Sequence, residues 1–524
     1  MPVPRPSSPA DVRPLPHGPL HFVGIGGAGQ SAIAYVLAQR GRVVRGSDPG
    51  ISPTAKARLE SAGCTVYTAH ATENLAPDTA ALIATDAVNE QNPEVAEALS
   101  RGIPVYRRPE ALASIVNAAK TSICVAGTHG KTTTTGMIAS ILIHAGLNPT
   151  VLIGGDLPLI GGNSQNGDPD LVVAEACEAY GGLDCLSPTI AVITNCEPDH
   201  LDFHGSEENF YKAFERFLSH TRIPLLCSAT PSQTAQKILG KHWGTAGSFG
   251  FVGGTWTPDR DRDAFRLSGY RSEEPQQVRL QVPGNHNILN ALGAAAAAER
   301  LGLALQDVVI GLEAFTGTGR RFERLGTAGD IAVVDDYAHH PTEIRATLQA
   351  ARQAYPDRRI VAIYQPHLPS RTRDFLDAFG EALAGADALY LTDIYLAREP
   401  EQPGLIEELL AKVNAISPGR IAPSPRALER LPSSPIAPPS REEGQTYDGK
   451  PTSLPGEERT MGGREVPEPY EGGEMAPQKQ RATLVKNRHA LPATLQRELK
   501  PGDVALFMGA GNIREQAETF LRGL

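Results

Sequence analysis

The sequence predicts an α/β protein of three domains, each built on a parallel sheet, and three observations carry that reading. Its 524 residues exceed one ordinary domain, which runs to about 100–200 residues. Short apolar runs alternate with helical patterns through three successive stretches, the pattern of βαβ units around parallel sheets. In two of those stretches the first apolar run leads into a glycine-rich turn, where open sheets of this kind collect phosphate groups.

The first series starts at Leu20: "LHFVGIG", "RVVRGSD" and "ALIATD" read as strands, with "GQSAIAYVLAQR" and "NPEVAEALSRG" as helices. The second begins at "TSICVAG" and runs through "DLVVAEA", "TIAVITN" and "IPLLCSA" to the alanine-rich helix of "NHNILNALGAAAAAERLG". The third holds "IAVVDDY", "RIVAIYQP", "ALYLTDI" and, far downstream, "DVALFMG". The expected division is a leader over residues 1–18, a first domain over 19–118, a central domain over 119–318 and a third over 319–524. The leader is proline-rich without an apolar signal core and is expected to be disordered. The third domain is interrupted over 423–480. Eleven of the chain's 43 prolines and only two aromatics lie between Pro423 and Pro477. Such composition cannot bury enough apolar surface to offset chain ordering, so a disordered insertion is expected.

A net charge of -10 argues against a general nucleic-acid binder, which needs basic faces to meet phosphate. No run of about 18 apolar residues suggests membrane insertion. The six cysteines form no C-x-x-C pair and read as buried thiols of a reducing cytosol.

Six motifs carry chemistry. Gly24, Gly26 and Gly29, with Gly27 inside the turn, give G-x-G-x-x-G between a strand and a helix. These glycines let the backbone approach a phosphate. Asp48 ends the next strand, where an acid would hold a ribose hydroxyl. NAD and other diphosphate nucleotides both fit, and a ligand-free turn is the plainer alternative. In "CVAGTHGKTTTTGMIASIL" the backbone from Gly127 through Thr128, His129, Gly130, Lys131 and Thr132 would cradle phosphate oxygens. Lys131 would offset phosphoryl charge and the Thr132 hydroxyl would reach Mg²⁺. Val125 stands where the usual P-loop has its first glycine, so this loop is a shorter variant. Glu175 and, after the next strand, Asn195 and His200 lie at carboxyl ends of strands, where the carboxylate and the imidazole could hold Mg²⁺; a satisfied loop histidine is the plainer alternative for a lone His200. His286, Asn287 and Asn290 open a helix, and asparagine can read an adenine edge as well as cap a helix. Arg320 and Arg321 precede the cluster Asp335, Asp336, Tyr337, His339 and His340, placed to clamp phosphate at a domain junction. His367, Ser370, Arg371 and Arg373 follow another strand, where a solvated helix start is the alternative.

These motifs, in this order, resemble the ATP-dependent Mur ligases of peptidoglycan synthesis, which share G-T-H-G-K-T-T-T with the folylpolyglutamate synthetases. The resemblance runs through "HFVGIGGAGQSAIA", "GTHGKTTTT", "EACE", "TNCEPDHLD", "GNHNILNAL", "TGTGRRFE", "DDYAHHPTE", "QPHLPSRTRD" and "MGAGNI". It implies a Rossmann-like first domain for a UDP sugar, a central P-loop ATPase domain and a Rossmann-like third domain that meets an amino acid. On that basis Gly24, Gly26, Gly27, Gly29 and Asp48 serve a UDP diphosphate and not NAD. Lys131, Thr132 and Thr133 handle ATP, with Thr132, Glu175 and His200 as Mg²⁺ ligands. His286, Asn287 and Asn290 look like adenine contacts, and Arg321 and Asp335 like nucleotide contacts from the third domain. His339, His367 and Arg371 look like the region meeting a muramoyl carboxylate and the amino acid. The run "QPHLPSRTRD" favours the branch that joins L-alanine to UDP-N-acetylmuramate over the branch that recycles murein tripeptide. The resemblance implies a catalytic set of Lys131, Glu175, His200, His339 and Arg371, a monomer or homodimer, and a cytoplasmic location. Four positions depart from the family pattern: Gln30, Cys177, Leu368 and Asn512.

Overall fold

The computed structural model describes residues 6–85, 88–227, 233–243, 247–249, 264–267, 274–397, 399–416 and 482–523. The expected insertion, residues 423–480, lies outside them.

The first sheet is wholly parallel, in the order β3-β2-β1-β4-β5. Its strands are β1 (Leu20–Val23), β2 (Val44–Ser47), β3 (Thr65–Tyr67), β4 (Ala81–Ala84) and β5 (Val105–Arg107). β1 and β4 are buried throughout, as strands covered on both faces must be. The strand order reverses at β1, which opens a crevice beyond its carboxyl end.

The second sheet has the order β12-β11-β10-β6-β9-β7-β8. It comprises β6 (Thr121–Ala126), β7 (Pro149–Leu157), β8 (Gly162–Gln165), β9 (Asp168–Glu175), β10 (Ile190–Ile193), β11 (Ile223–Cys227) and β12 (Gly247–Phe249). The antiparallel β7–β8 hairpin, which the apolar pattern does not announce, forms one edge. A separate antiparallel pair joins β13 (Ala264–Leu267) to β14 (Gln276–Arg279). The third sheet runs β15-β16-β20-β17-β18-β19, from β15 (Glu323–Ala328), β16 (Ile331–Asp336), β17 (Ile360–Tyr364), β18 (Ala388–Thr392), β19 (Ala482–Val485) and β20 (Val504–Met508). Only β15 is antiparallel to its neighbour.

The first two sheets share one continuous apolar cluster. Ile33, Val36 and Leu37 of the helix Ala28–Gln39 belong to the same buried set as Leu152, Val172 and Ala174 of the second sheet. Each such side chain contributes roughly 1.5–3 kcal/mol relative to exposure. Polar contacts reinforce this seam. Asn163 donates to the Ala28 carbonyl and to Ser31 Oγ, both at 2.8 Å. Arg40 donates to Thr150 Oγ1 at 3.0 Å, and Arg58 donates to the Gly161 and Ser164 carbonyls of the hairpin. The third sheet has its own two clusters, which hold no residue before Phe322.

The expected disordered leader is corrected over its second half. Arg13 pairs with Glu110 at 3.0 Å and donates to the Val105 carbonyl. Tyr106 Oη donates to the Pro14 carbonyl, and Arg42 to Pro16. Val12 and Leu15 pack on the shared core. Proline-rich sequence supplies free carbonyls, and Arg42 and Tyr106, donors from well beyond the leader, take them.

Candidate active site

Each glycine turn stands where its sheet requires it. Gly24 follows β1 at φ +78, a left-handed conformation that glycine adopts without strain. Asp48 follows β2 and turns back into this loop: one oxygen accepts the Gly26 N–H at 3.0 Å and the other the Gly50 N–H at 2.8 Å. Asp48 therefore braces the turn from within, a different task from the ribose contact expected of it. Gly27 caps the helix Ala28–Gln39, which contains Gly29, so the turn leads into a helix N-terminus.

The phosphate loop leaves β6, the middle of the second sheet. Gly127 (φ +134) and Gly130 (φ +80) bracket it. A methyl group on Gly127 would lie 2.2 Å from Thr194 Oγ1, and one on Gly130 2.4 Å from Asn290 Oδ1. Asn195 holds the loop on both sides, accepting the His129 N–H at 3.0 Å and donating to the His129 carbonyl at 2.8 Å. Thr128 Oγ1 donates to the Glu197 carbonyl at 2.5 Å. Lys131 opens the helix Lys131–His144 and folds back over the loop, donating to the Gly127 carbonyl at 2.6 Å and pairing with Glu178 at 2.8 Å. Burial alone would lower its ammonium pKa, but Glu178, Cys177 and Glu175 raise it, so it stays charged.

Glu175 and His200 sit in separate groups. Thr132 Oγ1 donates to Glu175 at 3.0 Å, and the Gly154 N–H joins the same oxygen at 2.8 Å. His200 instead faces Glu178 at 3.9 Å and Asp199 at 3.8 Å. Glu178, Asp199 and His200 can offer ligand atoms all within 4.8 Å of one another. Glu178 and Asp199 were absent from the expected metal set, although both stand in the runs "EACE" and "EPDHLD" that suggested it.

A cavity of about 220 Å³ opens beside the loop. His129, Gly130 and Thr133 line it from the loop, His286, Asn287 and Asn290 from the helix Asn285–Leu301, and Arg321 and Asp336 from the third domain. Asn290 donates to Asn287 Oδ1 at 3.1 Å, and Asn287 to the Pro283 carbonyl at 2.7 Å. Burial pushes His286 down to about 4, with Arg321 adding to the shift, so its imidazole is neutral near pH 7.

Asp335, expected to meet nucleotide, is corrected. It is fully buried and faces Arg514 at 3.2 Å and Arg320 at 3.4 Å. Its neighbour Asp336 lines the cavity and accepts the Phe322 and Ala338 N–H groups. Successive side chains of a strand point to opposite faces, so only one of an acidic doublet can reach the site.

The third domain reaches the central one through named contacts. Glu343 Oε1 lies 3.2 Å from His129 Nδ1, and Thr342 Oγ1 donates to Glu197 at 2.9 Å. Although burial alone would lower it, Glu197 and Glu343 raise His129 to about 9. Arg371, in the helix Pro369–Asp374, donates to both oxygens of Asp199 at 3.2 and 3.3 Å. The sequence expected Arg371 to hold a substrate carboxylate; here it holds Asp199. His367 lies 3.3 Å from Arg371 and stacks on Tyr395, and its ring centroid is 6.0 Å from that of His339. Burial pushes His339 down to about 3 despite Glu343 at 3.2 Å.

The carboxyl ends of β6, β9 and β10, three adjacent strands, thus face those of β16 and β17 across one site. Three family models match this chain in order. "Mur ligase family, catalytic domain" covers residues 19–120, "Mur ligase middle domain" 125–298, and "Mur ligase, glutamate ligase domain" 320–430. The chain belongs to the Mur ligase family.

Its relatives narrow that class to the enzymes named UDP-N-acetylmuramate–L-alanine ligase. The one from Saccharopolyspora erythraea is 42% identical over 409 residues, which is 75% of this chain and 82% of that protein. The one from Geobacter sulfurreducens is 38% identical over 517 residues, 96% of this chain and 97% of that protein. The crystal structure of UDP-N-acetylmuramate-alanine ligase from Thermotoga maritima, 27% identical, superposes with a TM-score of 0.72 over 97% of this chain and 99% of that one.

Proposed function

We propose that this protein is an ATP-dependent ligase that joins L-alanine to the lactyl carboxylate of UDP-N-acetylmuramate, a step of peptidoglycan precursor synthesis. The convergence of the phosphate loop, the Glu178–Asp199–His200 group and the third domain's His339, His367 and Arg371 on one site carries this reading. ATP phosphorylates the carboxylate, and the alanine amine displaces phosphate from the resulting acyl phosphate.

The residues divide that work. The loop from Gly127 to Thr133 seats the ATP phosphates, and Lys131 neutralises charge on the phosphoryl group in transfer. The hydroxyl and carboxylate oxygens of Thr132 and Glu175 fit Mg²⁺ and would hold one ion, and the Glu178 carboxylate with the His200 imidazole a further one. Bound Mg²⁺ supplies charge that screens the phosphates from the incoming carboxylate. His286, Asn287 and Asn290 would hold adenine, while Arg321 and Asp336 would meet the nucleotide from the third domain. Gly24, Gly26, Gly27 and Gly29 would seat the UDP diphosphate, and Arg371, whose Nη2 holds Asp199, would offer the rest of its guanidinium to a substrate carboxylate. A general base works best with a pKa near the operating pH, and His339, pushed down to about 3, is far from it in this arrangement. Closure of the third domain, hinged at 316–319, would keep water from the acyl phosphate.

The domain division 19–118, 119–318 and 319–524, a cytoplasmic location and a monomeric or homodimeric state belong to the same proposal. Among the described residues no helix is long and apolar enough to cross a membrane. The test is phosphate release with ATP, UDP-N-acetylmuramate and each amino acid in turn. Release that needs the muramoyl substrate and is strongest with L-alanine supports the reading; release indifferent to either refutes it.

A further inference from the structure

Behind the first domain's crevice lies a buried polar network that the reading above does not use. Glu94 is fully buried and accepts four hydrogen bonds. The Ala71 N–H and Asn74 Nδ2 reach one oxygen at 3.1 and 2.7 Å. His21 Nε2, at 3.1 Å, and the Ser47 hydroxyl reach the other. Among the described residues no lysine or arginine joins it. A carboxylate this well supplied with donors stays ionised, and its pKa is lowered although burial opposes that.

The proton inventory then fixes a further ring, that of His70, whose Nδ1 lies 3.8 Å from the same Glu94 oxygen that Ser47 reaches. Ser47 has one hydroxyl proton and gives it to Glu94. His70 Nδ1 lies 2.8 Å from that same hydroxyl oxygen. With its proton committed, Ser47 can only accept, so Nδ1 of His70 carries the hydrogen. In the neutral ring Nε2 is then a bare acceptor. Nε2 has no hydrogen bond among the described residues, and the His70 side chain is 23% exposed. The second imidazole, His21, is locked too, but it is fully buried.

The position of His70 says what it meets. The diphosphate seat follows β1, Asp48 follows β2, and His70 comes just after β3, the next strand outward. A nucleotide whose phosphates sit at β1 extends its sugar across the end of β2, which carries its base towards β3. Uracil presents an N3–H donor on its pairing edge, whereas cytosine presents a bare N3 acceptor there.

We propose that His70, held in one tautomer by the Glu94–Ser47 relay, determines base specificity by accepting the N3–H of uracil. This rests on the UDP-sugar reading of the first domain and adds to it a residue and a direction of hydrogen bonding. A site built around one acceptor rejects a base that offers another acceptor, because one group is left unpaired.

The test is calorimetric binding of UDP and of CDP to the full chain, which needs no turnover. Wild type should favour UDP over CDP by about tenfold or more. His70→Ala should bring the ratio close to one, chiefly by weakening UDP. His70→Gln, whose amide oxygen can accept, should restore part of it. Ser47→Ala, which frees the tautomer, should reduce the ratio; it also removes a donor from buried Glu94 and should lower the melting temperature, so the UDP to CDP ratio is the readout. A drop in UDP and CDP affinity by the same factor in His70→Ala would mean that the ring meets ribose or phosphate, and would overturn the base assignment. An unchanged ratio would overturn it as well. If wild-type protein binds neither nucleotide, it is the UDP-sugar reading that fails.

Discussion

Removing Arg371 is the sharpest perturbation this structure offers. Arg371 and Asp199 are each 7% exposed, so solvent screens their attraction little. Truncating one partner of a buried pair costs about 3–5 kcal/mol, because the other charge stays buried. Both hydrogen bonds here come from one nitrogen and are long, at 3.2 and 3.3 Å. That places the loss at the low end, about 3 kcal/mol. The pair joins the central domain to the third, so the loss falls on their closed arrangement and not on the fold of either. At about 1.4 kcal/mol per decade this is roughly a hundredfold in the closed population. Arg371→Ala and Asp199→Asn should each lower kcat/KM for ligation by about that factor. Their combination should cost no more than about tenfold beyond the worse single change, since both remove one interaction. Any excess of Arg371→Ala over Asp199→Asn measures the arginine's direct contact with substrate. Losses that multiply would refute the coupling. The pair also has a pH signature. Asp199 is held below the usual carboxylate range, chiefly by Arg371 working against burial. Its stabilisation is thus fully present above that range and is lost as pH falls through the depressed value. Scattering profiles of the wild type should therefore stay compact from pH 7 to pH 5.

Lys131→Ala should abolish ligation, measured by product chromatography, while calorimetry shows UDP-sugar binding close to wild type, because Lys131 lies in the second domain's loop. More than a tenth of wild-type activity would contradict its role. Asp336→Asn should weaken ADP binding, whereas Asp335→Asn, on the far face of the same strand, should not. Burial lifts Asp336 to about 6. A raised carboxylate favours folding when protonated, and that advantage is lost as pH rises from about 4 through 6. The melting temperature of Asp336→Asn relative to wild type should therefore climb between pH 4.5 and 7.5. Deleting residues 424–478 should leave activity and melting temperature largely unchanged, since the composition offers few core-forming side chains and loop closure depends weakly on length. A large loss of activity would show that the segment serves the site.

The parallel sheets were legible because their strands are buried on both faces and read as continuous apolar runs bounded by turns. The phosphate loop was legible because glycines and Lys131 are local in sequence. What the sequence hid is non-local or a matter of phase. "VVDD" does not say which aspartate faces the cavity, because a run buried on both faces has no apolar alternation to set the phase. Arg371 gave no sign that Asp199, 172 residues away, would take its guanidinium. The leader looked disordered because its anchors, Tyr106, Glu110 and Arg42, lie elsewhere in the chain. The β7–β8 hairpin carries polar and glycine residues that serve the seam with the first domain.

That seam has a consequence for how such proteins can be recombined. The first two domains bury one apolar cluster between them, and Asn163 grips the very helix that follows the first glycine turn. Neither domain can be exchanged for a relative's without rebuilding dozens of matched side chains. The third domain keeps separate cores and meets the rest through a few ion pairs and hydrogen bonds. Chimaeras cut near Thr318 should therefore fold, whereas those cut near Asn117 should not. On the proposed function, the third domain that would meet the amino acid is the part free to be traded, so a new amino-acid preference can arise by swapping one module onto an unaltered body.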